Sequence, residues 1–193
     1  MNSVLIEPSI DQATLRHAFS TFPSGVTVLA AIADGQPAGI VASSFTSVSL
    51  DPPLVSVCIG KTSRTWSHLR KVPQIGVSVF AEHQETHCQN IVRHHEDAFV
   101  QSRWRFNDGG ALTLRGCCAT FRCVIEAEHE AGDHTIVVLR IQHLEADHSL
   151  APMVFYRSQF SRVAKPGINR ALRPHWLAWD ESASCVAVED VWG

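Results

Sequence analysis

Apolar positions fall at helical spacing near the start of the chain and at strand-like spacing through most of the remaining residues. Leu15, Ala18, Phe19 and Phe22 recur at intervals of three and four, which lines one face of a helix. Ser9-Ile10-Asp11-Gln12 has the form of a capping box, with Ser9 as N-cap and Gln12 reaching back, and Pro23 and Gly25 end the helix. Residues 26–33 are rich in apolar and β-branched side chains and predict a strand. Asp34-Gly35 is a hairpin signal, with 37–41 as the returning partner. A hydroxyl-rich bend comes next, and Pro52 and Pro53 set an extended lead into an apolar strand over 54–59. Short helices are predicted over 64–70, stopped before Pro73, and over 84–93, with a strand at 75–80 between them. Residues 97–110 form a mostly polar stretch with Phe99, Trp104 and Phe106 and close on Asp108-Gly109-Gly110, which suits a long loop, either a lid or a disordered segment. Strands over 120–128 and 135–143, joined tightly at Ala131-Gly132-Asp133, and a last strand at 152–156 complete the pattern.

Many short strands, hairpin-like links and few helices predict a mainly β domain built as a closed antiparallel barrel. There is no βαβ alternation and no Gly-x-Gly-x-x-Gly, so a Rossmann fold is unsupported. Beyond Ala164 the pattern dissolves. Lys165-Pro166-Gly167 reads as a linker, and the tail to Gly193 carries Trp176, Trp179 and Trp192. The expected division is a domain at 1–163 and a tail of undefined role at 164–193.

Composition narrows the function classes. A chain of 193 residues with 45% hydrophobic and 18% charged residues can bury a sizeable core. A net charge of −3 without a basic block argues against nucleic acid and against a polybasic membrane anchor. No apolar run approaches the ~20 residues of a membrane helix, and residues 1–8 lack the form of a signal peptide, so a cytoplasmic protein is expected. The six cysteines include no Cys-x-x-Cys pair. Cys58 and Cys123, in apolar runs, are expected to be buried free thiols.

The chemistry concentrates in two stretches. Val41-Ala42-Ser43-Ser44-Phe45-Thr46-Ser47 offers small side chains, hydroxyls and accessible backbone, a surface for a flat heterocycle that both donates and accepts hydrogen bonds. Lys61, Thr62, Ser63 and Arg64 come after the 54–59 strand at a helix start and suit a phosphate. By composition alone, both also read as a hydroxyl-rich strand and turn without a ligand. The run Ser44-Phe45-Thr46-Ser47-Val48-Ser49-Leu50-Asp51-Pro52-Pro53-Leu54-Val55, with Ser63-Arg64-Thr65 after it, resembles the short-chain flavin reductase family. Phe22-Pro23-Ser24-Gly25-Val26-Thr27-Val28 is similar to that family's first strand. Ala131-Gly132-Asp133-His134-Thr135-Ile136 is similar to its Gly-Asp-His signature. The matches keep the family's order over roughly 15–163.

The resemblance implies an FMN-binding split barrel, a six-stranded Greek-key-like barrel, working as a homodimer. It implies NAD(P)H-dependent reduction of FMN or FAD for a partner monooxygenase. Val41, Ala42, Ser43, Ser44, Phe45, Thr46 and Ser47 would line the isoalloxazine, and Ser63, Arg64 and Thr65 would hold the phosphate. His134, set by Gly132 and Asp133, would border the nicotinamide of NADH or NADPH as the catalytic-site side chain. Alternatives are a flavin-dependent oxidase or monooxygenase acting on a specialised metabolite, and a flavin-binding module without catalysis. The chain departs from the family at Leu139-Arg140, where a Gly-Glu pair is usual, and at Gly110-Ala111-Leu112, where Gly-x-Pro is common. Arg140 either alters pyridine nucleotide choice or faces solvent. His83, His87, Cys88, His94 and His95 cluster, but no third ligand stands at a fixed offset from the His83/His87 pair. Solvated imidazoles and no metal are expected there.

Overall fold

The computed structural model describes residues 11–93 and 96–163. Helix α1 (Gln12–Phe19) starts two residues later than the predicted capping box. Asp11 is the N-cap, and its carboxylate accepts from the Thr14 N–H at 2.7 Å. A carboxylate at the positive end of a helix gains more than a hydroxyl would. That bond holds the Asp11 carboxyl below its usual range. Ser9 lies outside the described residues. The apolar face of α1 has the predicted spacing, yet Phe19 and Phe22 are 69% and 77% exposed.

Strand β1 (Ser24–Gly25) leads into β2 (Thr27–Ala33) and β3 (Gln36–Ala42). Asp34 and Gly35 turn between β2 and β3 at φ 52° and 77°, the primed-turn geometry that the Asp-Gly pair favours. Strands β4 (Thr46–Leu50) and β5 (Pro53–Gly60) form a second hairpin through a cis Asp51-Pro52 bond. Then come α2 (Arg64–Leu69), β6 (Ile75–Val79), α3 (Glu85–Val92) and the short pair β7 (Trp104–Phe106) and β8 (Leu112–Leu114). Two long strands, β9 (Ala119–Ala131) and β10 (His134–Ala146), turn at Gly132-Asp133. The described residues end with β11 (Met153–Tyr156) and β12 (Gln159–Arg162).

The main sheet has the order β3-β2-β6-β9-β10-β5-β4, antiparallel throughout. It holds seven strands where six are expected. The added strand is β4, part of the stretch read as a bend, whose Thr46 and Ser47 pair with Ser56 and Val55 of β5. β-branched Thr46 and Val48 favour extended backbone, and β5 supplies the partner groups. Strands β1, β11 and β12 form a separate small sheet.

Two apolar clusters form the core, and β2 feeds both. Leu29 and Ala31 pack with Val57, Leu69, Val77 and Val137, while Val28 and Ala30 pack with Phe80, Ile91, Trp104 and Met153. Burial on both faces is why β2 is apolar without alternation. The 97–110 stretch is no lid: Trp104 is 1% exposed, stacks on Phe99 at 5.2 Å, and donates its indole N–H to the Ala98 carbonyl at 3.0 Å. Phe99 and Trp104 find a core to fill, which a loop-like composition conceals, while Phe106 stays exposed.

Candidate functional site

The cleft begins where β3 ends. Ser44, just past β3, is tied to β5 by both backbone groups of Cys58. Its Oγ accepts from the Cys58 N–H at 2.9 Å and its hydroxyl donates to the Cys58 carbonyl at 3.2 Å. One side chain thus substitutes for a stretch of ladder and holds the exit of β3 beside β5. On the far side of β5, Gly60 lies opposite His134 at the start of β10. Ile40, Val41, Ala42, Ser43 and Ser44 then face Cys58, Ile59, Gly60, Ser63 and His134 across a cleft of about 330 Å³.

Turn geometry sets His134. Gly132 sits at φ 60°, a conformation a side chain resists. The Lys61 N–H donates to the Asp133 carbonyl at 2.9 Å, which fastens the turn to the end of β5. Lys61 also pairs with Glu130 at 3.3 Å. His134 Nδ1 lies 2.7 Å from Asp133 Oδ1. The hydrogen bond to His134, together with its charge, holds the Asp133 carboxyl below the usual carboxylate range. With Nδ1–H given to Asp133, Nε2 remains to meet a ligand as acceptor, or as donor once protonated.

Val41, Ala42, Ser43, Ser44, Ser63 and His134, all expected at the site, are brought together. The rest of the expected set lies around the lining. Phe45 stacks on Phe121 at 5.8 Å and packs against the core. Thr46 and Ser47 are exposed on β4, and Arg64 is exposed in the first turn of α2, beside Thr65. Ser63 caps α2, accepting from the Trp66 N–H at 3.2 Å. The helix is clamped to β9 through Glu128, which accepts from the Trp66 indole N–H at 3.0 Å and bonds Arg70 through its other oxygen.

Ile40, Ile59, Gly60 and Cys58 complete the lining, and the sequence reading passed over them. Cys58 corrects an expectation: it is exposed in the cleft, not buried. The signal was available, because a period of two puts Cys58 on the face opposite Val57 and Ile59. Cys123 is buried, and burial pushes its thiol up to about 12. Arg140 bonds Glu126 across the β9–β10 pair at 2.7 Å from Nε, so its charge is paired on the exposed sheet surface, outside the cleft lining.

The histidine stretch needs a second correction. His87 is 3% exposed, tilts against Trp104 at 5.8 Å and leaves Nε2 without a partner. Its place on the inner face of α3, beside Cys88 and Ile91, buries it. Burial, and then the charge of Arg103, pushes its pKa down. His83 is exposed, and His94 and His95 lie outside the described residues. Among the described residues no group of three or more His, Cys, Asp or Glu is placed to hold a metal ion. No helix among them is long and apolar enough to cross a membrane.

Residues 19–164 match the model of the flavin reductase like domain. The chain is 31% identical over 184 residues to the reductase subunit HsaB of a flavin-dependent monooxygenase from Rhodococcus jostii, covering 95% of this chain and 93% of that protein. It is 34% identical over 165 residues to an NADH-dependent FAD reductase of Streptomyces globisporus, covering 83% and 90%. Among solved structures, BorF, the flavin reductase component of a bacterial two-component tryptophan halogenase, superposes with a TM-score of 0.74 at 32% identity, covering 80% of this chain and 99% of that one. A Streptomyces globisporus NADH:FAD oxidoreductase in complex with NAD and FAD fragments superposes with a TM-score of 0.76 at 34% identity, covering 85% and 99%.

Proposed function

The chain belongs to the flavin reductase-like family, with its mainly β split-barrel architecture, and on that premise we propose that it reduces FMN or FAD with NADH or NADPH and hands the reduced flavin to a partner monooxygenase. The observation that carries this reading is the convergence of the Ser43-Ser44 exit and the Asp133–His134 pair on one cleft. Its volume of about 330 Å³ lies in the range of small-molecule sites, about 300–1,000 Å³. Apolar Ile40, Val41 and Ile59 suit the face of a flat ring, and the hydroxyl and backbone groups of Ser43 and Ser63 suit its polar edges.

The bound flavin would supply the redox chemistry, taking a hydride from the dihydronicotinamide and a proton from solvent. The protein's part is position. Ser44, locked to Cys58, holds the wall against which the ring lies. Ser63, Arg64 and Thr65, at the head of α2, take the flavin phosphate. His134, oriented by Asp133, borders the nicotinamide and holds the two rings in register, a proximity effect.

We infer a homodimer as well. β4 is an edge strand of the main sheet, and it exposes Val48 by 52% and Leu50 by 95%, apolar surface that a second copy would cover. We infer a cytoplasmic protein too, a compartment in which the exposed Cys58 would stay reduced. Anaerobic absorbance of the purified protein with FMN or FAD, before and after NADH or NADPH, tests the central reading. Bleaching of the flavin band is expected. A bound flavin that neither donor bleaches, and that a metabolite substrate bleaches instead, would transfer the protein to the oxidase class.

A further inference from the structure

A glycine in a strand costs stability and gives up a side chain that could pack, so its presence calls for a reason. Gly60 ends β5 opposite His134 and lines the cleft. Two reasons that hold elsewhere in the chain fail here. Gly132 turns at φ 60°, and a Cβ at Gly76 would lie 1.9 Å from the Leu112 carbonyl oxygen. Gly60 has no left-handed φ. Apart from its chain neighbours, the described residues place one heavy atom within 4 Å of where its Cβ would stand, Nε2 of His134 at 3.9 Å. The fold has room for a side chain at this position. We propose that Gly60 is the specificity-determining residue of the cleft: the isoalloxazine of the flavin lies flat on its bare backbone, and the size of residue 60 decides whether the ring is admitted. The proposal rests on the reductase reading above.

The period of two puts Cys58 and Gly60 on one face of β5, while Val57 and Ile59 pack into the core. Along that face run the exposed Cys58 side chain, the bare step at Gly60 and, on the neighbouring strand, the His134 imidazole. The step is a seat with a side chain at each end. Carbon atoms meet at about 3.5–4.0 Å, so a ring resting on bare backbone is held off by any side chain placed beneath it.

The cleft is also fixed in width. Ser44 holds both backbone groups of Cys58, and the Lys61 N–H holds the Asp133 carbonyl, so neither wall is free to withdraw from a bulkier floor. The Ser63 N–H donates to the Gly60 carbonyl at 2.9 Å, which sets the seat one tight turn from the head of α2. A flavin suits this order, because its ring is flat and its chain leaves the ring edge toward the phosphate proposed at Ser63, Arg64 and Thr65. The upper face of the seated ring is left to the nicotinamide beside His134.

Gly60→Ala and Gly60→Val in the full chain test this. Val is β-branched and suits a strand, so the melting temperature should equal or exceed that of the unmodified protein. Titration with FMN, FAD and riboflavin should show the dissociation constants of all three raised by about tenfold or more in Gly60→Val and by a smaller factor in Gly60→Ala. The KM for NADH or NADPH at saturating flavin should stay within about threefold. A seated ring also covers Cys58, so FMN should slow its alkylation by iodoacetamide in the unmodified protein, and fail to do so in Gly60→Val at the same concentration. Riboflavin binding that survives while FMN and FAD weaken would put the phosphate over Gly60 and overturn the proposal. A donor KM that rises while the flavin constants stay would put the nicotinamide there and overturn it as well. If Gly60→Val does not fold, Gly60→Ala decides: flavin constants equal to those of the unmodified protein overturn the proposal. A protein that binds and reduces flavin equally well with any of the three residues sinks this proposal alone. An unmodified protein that reduces flavin with neither donor sinks the reductase reading and this proposal with it.

Discussion

His134 and His87 show how much one side chain's surroundings decide. His134 lines the cleft proposed for the flavin, with Nδ1 bound to Asp133, so it should meet the donor and spare the flavin. His134→Ala is expected to leave the flavin dissociation constant within about twofold and to raise the donor concentration needed for half-maximal reduction. Stopped-flow reduction of bound flavin reads this directly, and an unaltered donor dependence would remove His134 from the site. His87, by contrast, is buried neutral against Trp104. Its folded pKa lies below the ordinary histidine value, so the unfolded chain binds the proton more readily. Stability from this group is present above pH ~6.5 and is lost as the pH falls below that value toward the depressed pKa. Urea denaturation at about pH 7.5 and pH 5.5 should show the loss, and His87→Leu should reduce it. Equal pH slopes for the two proteins would mean that His87 does not couple protonation to folding.

Strand and helix positions depend on a few close approaches. Where β6 passes β8, a Cβ added at Gly76 would lie 1.9 Å from the Leu112 carbonyl oxygen, so backbone must move to admit it. Gly76→Ala should cost ~3 kcal/mol or more, toward the upper end of overpacking. At the β9–β10 turn, Gly132 has φ 60° and nothing near its missing Cβ. Gly132→Ala should cost only the conformational penalty, ~1–2 kcal/mol. Thermal or urea unfolding of both variants checks the ranking, and a Gly132 variant less stable than the Gly76 variant would reverse it. The clamp of Trp66 and Arg70 on Glu128 is the corresponding device for α2, because it sets where Ser63 caps the helix beside the cleft.

The proposed dimer depends on surface that one chain leaves uncovered. Leu50→Glu, at a side chain 95% exposed in the single chain, should leave the fold intact and shift sedimentation from dimer to monomer. An unmodified protein that sediments as a monomer at micromolar concentration would remove the dimer. Local order was legible in the residues: the β2–β3 hairpin at Asp34-Gly35, the 54–59 strand, the Ser63 cap and the Gly132-Asp133-His134 turn all stand where pattern and turn chemistry place them. These features are set by sterics and hydrogen bonds between near neighbours, which near neighbours in the chain encode. The resemblance to flavin reductases was legible for the same reason, being carried by contiguous runs. The features that the tertiary structure alone decided involve partners distant in the chain. The pairing of Gly60 with His134 and the seating of Ser44 on Cys58 bring the cleft together from three stretches. Trp104 and the inner face of α3 bury His87, Phe121 draws Phe45 off the lining, and the absence of burial against α1 leaves Phe19 exposed. Side-chain burial is a property of what the opposing element presents, so periodicity can name a face but not what meets it.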